Sequence, residues 1–231
     1  MSLYAIGDLH LSFGSEKPMD VFGGRWQNHT EKLEESLSVL GPDDTIVLCG
    51  DTSWGMTLEE ALPDFLFLER FPGRKLLVKG NHDFWWNTAS KILAFFDAHE
   101  IRSLHLLHNN CWFYDGTALC GSRGWFFEEG VHGGDHDRKI MNRETGRLRT
   151  SLEAADSAER KLVFLHYPPR FNRFVCRDLT AVMKEHGVRD CYYGHLHGEG
   201  HAYAFTGEAE GIRYHMISSD YLDFRPLRIC P

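Results

Sequence analysis

Short apolar runs at 3–6, 45–49, 75–78, 162–165 and 191–193 each end in glycine or a polar cluster. They are too short for helices, and their β-branched and aromatic content predicts buried strands. Between the first three, the apolar spacing becomes helical. Asn28-x-x-Glu31 predicts a capped helix with Leu33, Leu37 and Leu40 on its apolar face, stopped by Gly41-Pro42. Thr57-x-x-Glu60 predicts another capping box ahead of Leu58, Ala61, Leu62 and Phe65, and Pro63 is expected to interrupt or bend that helix. Strands alternating with helices imply βαβ crossovers and a mostly parallel sheet in an α/β protein.

The middle of the chain reads differently. Strand patterns at 104–107, 111–114 and 117–120 lie close together, separated by the turn pairs Asn109-Asn110 and Asp115-Gly116. This spacing predicts an antiparallel second layer. Residues 122–137, rich in glycine, histidine and aromatics, read as a long loop. A helix follows with Met141, Thr145, Leu148, Leu152 and Ala155 on one face. A shorter helix at 179–186 stops at Gly187, and 202–206 with 212–217 read as a hairpin. No repeat or linker interrupts the pattern, so a single domain over 1–231 is expected.

Composition narrows the class. An apolar fraction of 42% with 16 Phe suits a large buried core in 231 residues. A formal charge of −8 argues against a general nucleic-acid binder, which needs a basic surface to displace phosphate counterions. The six cysteines include no Cys-x-x-Cys pair, and several lie inside apolar runs, as small buried hydrophobes of a reducing compartment would. The chain opens directly into a strand pattern, with no signal-peptide pattern and no long apolar span. A cytoplasmic protein without membrane association is expected.

The polar clusters at the strand ends carry the chemistry. They are Asp8-Leu9-His10, Gly50-Asp51, Gly80-Asn81-His82-Asp83, His166 and Gly194-His195-Leu196-His197. In an open α/β sheet, ligands bind outside the carboxyl ends of the strands. Asp8 and His10 are two apart, as are His195 and His197, and in extended backbone that spacing puts both side chains on one side. Glycines before Asp8, Asp51, Asn81 and His195 allow tight turns and close backbone approach. Singly, each cluster is an ordinary turn or strand-end group. Together, they gather costly polar side chains repeatedly beside the core, with nitrogen and oxygen donors enough for two divalent ions and one histidine to spare.

This ordered series resembles the calcineurin-like metallophosphoesterase superfamily over most of the chain, from Asp8 to His197. The resemblance implies a four-layer α/β/β/α sandwich. It implies that Asp8, His10, Asp51 and His197 hold one metal ion, and that Asp51, Asn81, His166 and His195 hold the other, with Asp51 bridging. It further implies a dinuclear phosphohydrolase cleaving a phosphomonoester or phosphodiester. A hydroxide shared by the ions would attack phosphorus, and His82 would act as general acid toward the leaving alkoxide. Manganese or an iron-containing pair is the implied cofactor, while Zn²⁺, Co²⁺ and Ni²⁺ also suit the mixed donor set.

Two departures matter. Protein phosphatases of this family carry Asp and Arg shortly after the Gly-Asp, whereas this chain reads Gly50-Asp51-Thr52-Ser53-Trp54-Gly55, which disfavours a Ser/Thr protein phosphatase. His82 stands where the lipid-A-pathway pyrophosphatases usually show Arg. Asp83 is expected to have a structural role, orienting a neighbour or capping the next helix. Arg123 is a candidate clamp for substrate phosphate, against an equal expectation of a loop anchor. Trp54, Trp85, Trp86 and Trp125 are expected to fill core more than to wall a pocket, and His132, Asp135, His136 and Asp137 to belong to a solvated lid rather than a third metal site. Arg138, Lys139, Arg143, Arg147 and Arg149 read as a solvated helix face. A small phosphorylated substrate is the expected partner; a metal-dependent nuclease and a non-catalytic scaffold on the same fold are the alternatives.

Overall fold

The computed structural model describes residues 1–126 and 134–229. In chain order the elements are β1 (Leu3–Ile6), α1 (His29–Leu37), β2 (Thr45–Cys49), α2 (Leu58–Glu69), β3 (Arg74–Val78), α3 (Ala89–Ala98), β4 (Leu104–Leu106), β5 (Cys111–Tyr114) and β6 (Thr117–Ser122). There follow α4 (Asp135–Glu153), β7 (Arg160–Leu165), β8 (Arg170–Phe171), β9 (Phe174–Val175), α5 (Arg177–Glu185), β10 (Asp190–Tyr193), β11 (Gly207–Ala209), β12 (Ile212–Met216) and β13 (Leu227–Ile229).

Two sheets face one another. One runs β13-β1-β2-β3-β4, parallel except for β13; the other runs β11-β12-β10-β7-β6-β5, parallel except for its edges β5 and β11. Strand periodicity builds the layers. In β2, Val47 and Cys49 point into the core between the sheets, and Ile46 and Leu48 into the core under α1, α2 and α3. In β7, Leu162 and Phe164 join the inter-sheet core, while Val163 and Leu165 pack beneath α4 and α5. Three buried clusters thus separate four layers, the α/β/β/α sandwich. The sheets are stitched at one end, where Gly7 N donates to Ile217 O at 2.7 Å and Cys49 Sγ approaches Leu165 O at 3.1 Å. No helix among the described residues is long and apolar enough to cross a membrane.

Several local expectations are revised. The 104–107 segment does not open an antiparallel layer: β4 pairs in parallel with β3 in the first sheet, so Asn109-Asn110 connects two sheets rather than two hairpin strands. Asp115-Gly116 does close a hairpin, with both residues at positive φ. Asn28 caps nothing with its side chain, because it is itself left-handed at φ 53°, and α1 ends at Leu37 before Gly41-Pro42. Thr57 does cap α2. That helix then runs unbroken through Pro63, whose ring leaves the carbonyl of Glu59, an exposed residue, without its helical partner. The final hairpin uses β11 and β12, its first strand lying later than 202–206.

A buried lysine sits at the far end of the first sheet. Lys75 is 1% exposed and donates to Gly73 O at 3.2 Å, to Ser103 Oγ at 2.9 Å and to Phe71 O. Burial draws its ammonium down to about 8 from 10.5. Between those values the unfolded chain binds more protons than the native one, so this group adds stability as pH rises through that window. Relative to Lys75→Met, the native protein should gain on the order of 2–3 kcal/mol between pH 7.5 and pH 10, read by urea unfolding.

Candidate metal centre

The carboxyl ends of β1, β2 and β3 meet those of β7 and β10 at the stitched end of the sandwich. Asp8 and His10 follow β1, Asp51 follows β2, Asn81 follows β3, His166 follows β7, and His195 and His197 follow β10. Four of these seven residues hold left-handed backbone: Asp8 at φ 62°, His10 at 47°, Asp51 at 50° and His195 at 73°. Such conformations cost roughly 1 kcal/mol or more each and are kept where the surroundings impose them. Packing is equally tight at Gly50, where an added Cβ would meet His166 Nδ1 at 2.5 Å.

All seven predicted side chains converge. His10 Nε2 and His197 Nε2 are 3.4 Å apart, and Asp8 Oδ1 is 3.6 Å from His197 Nε2. Asn81 Oδ1 lies 2.6 Å from His166 Nε2 and 2.9 Å from His195 Nδ1. Between these two groups stands Asp51, whose Oδ2 is 3.8 Å from His10 Nε2 and 3.6 Å from His166 Nε2. Donors bound to one cation at about 2.1 Å stand roughly 3.0–3.5 Å apart, so the spacing fits two ions that share Asp51. Asp8, His10 and His197 form one set able to hold a metal; Asp8, Asp51 and His166 form another, so Asp8 reaches both halves.

Tautomers agree with this fit. His166 Nδ1 is 3.2 Å from Cys49 O, and a proton donated there leaves the Nε2 lone pair facing Asn81 and Asp51. His197 Nδ1 donates to Asp220 Oδ1 at 2.8 Å, leaving Nε2 facing His10. The charges are strained by burial. Asp51 is pushed up to about 8 by burial and then by Asp8. Burial opposes charge on Asp8, yet His197, His166 and His10 together outweigh it and draw that carboxyl below the ordinary range. Burial also opposes charge on His197, but Asp8 and Asp220 lift it to about 10, while burial and His166 hold His195 down to about 3. Two buried carboxylates facing four imidazoles are chemically a donor set for divalent cations.

A family model for calcineurin-like phosphoesterases matches residues 1–199, a span that includes Asp8, His10, Asp51, Asn81, His166, His195 and His197. The chain belongs to the calcineurin-like phosphoesterase family. As a family member it is a metal-dependent phosphoesterase, a hydrolase. Its fold is similar to that of phosphopantetheinyl hydrolase from Mycobacterium tuberculosis, at 16% identity and a TM-score of 0.61, covering 100% of this chain and 96% of that one. A protein of unknown function from Aquifex aeolicus is similar at 18% identity and a TM-score of 0.51, covering 98% of this chain and 95% of that one. A protein from Thermus thermophilus matches at 13% identity and a TM-score of 0.53, covering 98% of this chain and 97% of that one. No curated protein matches.

The surroundings of the phosphoesterase site hold corrections as well. Asp83 has the expected structural role, by orienting neighbours and not by capping a helix; its carboxylate accepts from the backbone N–H of Gly80, Asp51, Thr52 and Ser53 and from Trp85 Nε1, which clamps the loop after β3 to the loop after β2. Trp54 is not core filling alone: its ring lies 4.4 Å from that of His82 and stacks 5.0 Å from that of His10, so it walls the site. His82 is half-buried, its Nδ1 has no partner among the described residues, and burial holds it below its ordinary value. Arg123 stays outside the cluster and pairs with the buried Glu144 at 3.1 Å. Of the expected lid, His132 lies outside the described residues, Asp135 pairs with Arg138, and Asp137 accepts from Trp125 Nε1 at 3.3 Å.

Asp220 has no counterpart among the expectations. It is buried beyond β12, and its Oδ2 also accepts Gly198 N at 2.9 Å, so it fixes both the ring and the following backbone of His197. Groups of this kind orient metal-binding imidazoles. Asp220→Asn should weaken Mn²⁺ binding about 10–100-fold in competition with a chelator, with the circular dichroism spectrum retained. Undiminished affinity would contradict that role.

Proposed function

We propose that the chain hydrolyses a small phosphomonoester or phosphodiester at a pair of divalent cations, one among Asp8, His10, Asp51 and His197, the other among Asp51, Asn81, His166 and His195. The observation that carries this reading is the position of Asp51 Oδ2 between His10 and His166, at 3.8 and 3.6 Å. When bound, the cations would supply an activated water and neutralise phosphoryl oxygens during in-line displacement. Manganese or an iron-containing pair is the cofactor of this reading. A cytoplasmic location belongs to it too, supported by cysteines set within apolar runs.

The remaining steps fall to the protein. Buried Asp8 and Asp51 would repel a phosphate unless cations intervene, so substrate binding is tied to metal binding. Cys49 O and Asp220 keep the imidazoles of His166 and His197 turned toward the donor set. His82 stands at the half-buried mouth, 5.8 Å ring to ring from His10, and gives its proton to the departing oxygen. Trp54 packs against one face of this ring and limits where it can swing.

Assays with nitrophenyl phosphate, bis(nitrophenyl) phosphate and single-stranded DNA, each with Mn²⁺, Fe²⁺, Co²⁺, Zn²⁺ or Ni²⁺, test the reading. Hydrolysis of at least one nitrophenyl ester, lost on chelation and restored by metal, is expected. His82→Ala should lower turnover about 10²–10⁴-fold while retaining metal. Full activity in that variant, or loss of its metal, would refute the assigned role. Inactivity with every metal would favour a scaffold, and cleavage of DNA alone a nuclease.

A further inference from the structure

Trp54, which walls the site beside His10 and His82, is tied back to α2 by a polar network that the scheme above leaves unused. Ser53 and Gly55 flank it in the chain. Ser53 Oγ accepts the backbone N–H of Gly55 at 3.0 Å and donates to Asp64 Oδ2. The other oxygen of Asp64, Oδ1, accepts the backbone N–H of Phe13 at 2.8 Å. One carboxylate of α2 therefore ties down the loop after β1, which carries His10, and the loop after β2, which carries Trp54.

Both loops lie directly on α2. A Cβ added at Gly14 would collide with Glu60 O, and one added at Gly55 would meet Ala61 N at 2.6 Å. The loops are also joined to each other. Leu11 N donates to Thr52 O at 3.0 Å, Trp54 N donates to Leu11 O at 2.9 Å, and Trp54 Nε1 donates to Met19 Sδ at 3.1 Å. The indole is thus fixed at its backbone and at its ring nitrogen.

A carboxylate is a costly group to place here. Asp64 and Ser53 are 0% and 1% exposed, and burial lifts the Asp64 carboxyl to about 6. Seating α2 does not require it, because Ala61, Phe65 and Leu68 already pack that helix into the core. What the two oxygens add is direction, since they fix two loops relative to one helix and so decide where the indole stands. That placement matters most at His82. Its Nδ1 has no partner among the described residues, and Trp54 at 4.4 Å is nearer to its ring than His10 at 5.8 Å or Phe84 at 6.0 Å.

We infer that Asp64, acting through Ser53, is a positioning residue for the general acid: it holds Trp54 where the indole keeps the His82 imidazole aimed at the leaving oxygen. The consequence for turnover rests on the proposed role of His82, whereas the network contains none of the metal-binding side chains.

Asp64→Leu, which removes both acceptors, and Asp64→Asn, whose amide keeps one, test it in the full chain loaded with Mn²⁺. On a phenyl phosphate ester, Asp64→Leu should lose about tenfold or more in kcat, with KM and Mn²⁺ affinity kept within about twofold. On the matching nitrophenyl ester, whose leaving group departs without a proton, it should lose little. Asp64→Asn should recover most of the loss. In a His82→Ala background, Asp64→Leu should cost nothing further, because its effect passes through the imidazole. The ring is read directly by nuclear magnetic resonance of histidine-labelled full chain before Mn²⁺ is added. The His82 ring signal should move in Asp64→Leu toward its place in Trp54→Leu, and hold in Asp64→Asn. Should Asp64→Leu fail to fold, Ser53→Ala cuts the same link and is read in the same way. An unmoved His82 signal, or losses that multiply with those of His82→Ala, would overturn the positioning role. So would equal losses on both esters where His82→Ala spares the nitrophenyl ester. Failure of the general-acid reading has a different signature: His82→Ala would itself lose equally on both esters, while the His82 signal would still move in Asp64→Leu.

Discussion

Two carboxylates, Asp8 and Asp51, are buried where β1 and β2 end, and the rest of the site answers the cost of burying them together. Each is almost wholly removed from water, and the field of Asp8 helps push Asp51 up to about 8. Imidazoles alone offset this incompletely, because burial holds His10 and His195 toward their neutral forms. Divalent cations resolve the imbalance, which makes the site and its cofactor one electrostatic unit.

That unit is held by backbone as much as by side chains. Asp8, His10, Asp51 and His195 hold left-handed backbone just beyond strands whose carboxyl ends meet at the site. Asp83 ties four backbone N–H groups of two loops into one body, and Asp220 does the same for His197 and Gly198. These carboxylates bind no substrate in the proposed scheme. They reduce the freedom of the groups that do.

The convergence of the site's seven predicted side chains was legible from the chain because each sits in a short polar cluster at the end of an apolar run, and those runs also foretold buried strands. Other features were not. Asp220 lies in the turn after β12 with no recurring pattern around it, so only tertiary contact reveals its pairing with His197. The assignment of 104–107 to the second layer failed because apolar spacing predicts a strand but not its sheet; β4 is short and pairs with β3 through Leu76 and Leu77. Arg123 read equally as a phosphate clamp or a loop anchor and Arg147 as part of a solvated face, since the carboxylate they share is set by how α4 packs on β6. Pro63 was expected to disturb α2, but the helix runs through it, and the residue whose carbonyl it deprives of a partner, Glu59, is exposed.

Anomalous diffraction from crystals grown with Mn²⁺ tests the dinuclear centre most directly. Two peaks about 3.5–4 Å apart are expected on either side of the Asp51 carboxylate, one near His10 and His197, the other near Asn81, His166 and His195. A single peak, or none among these side chains, would contradict it.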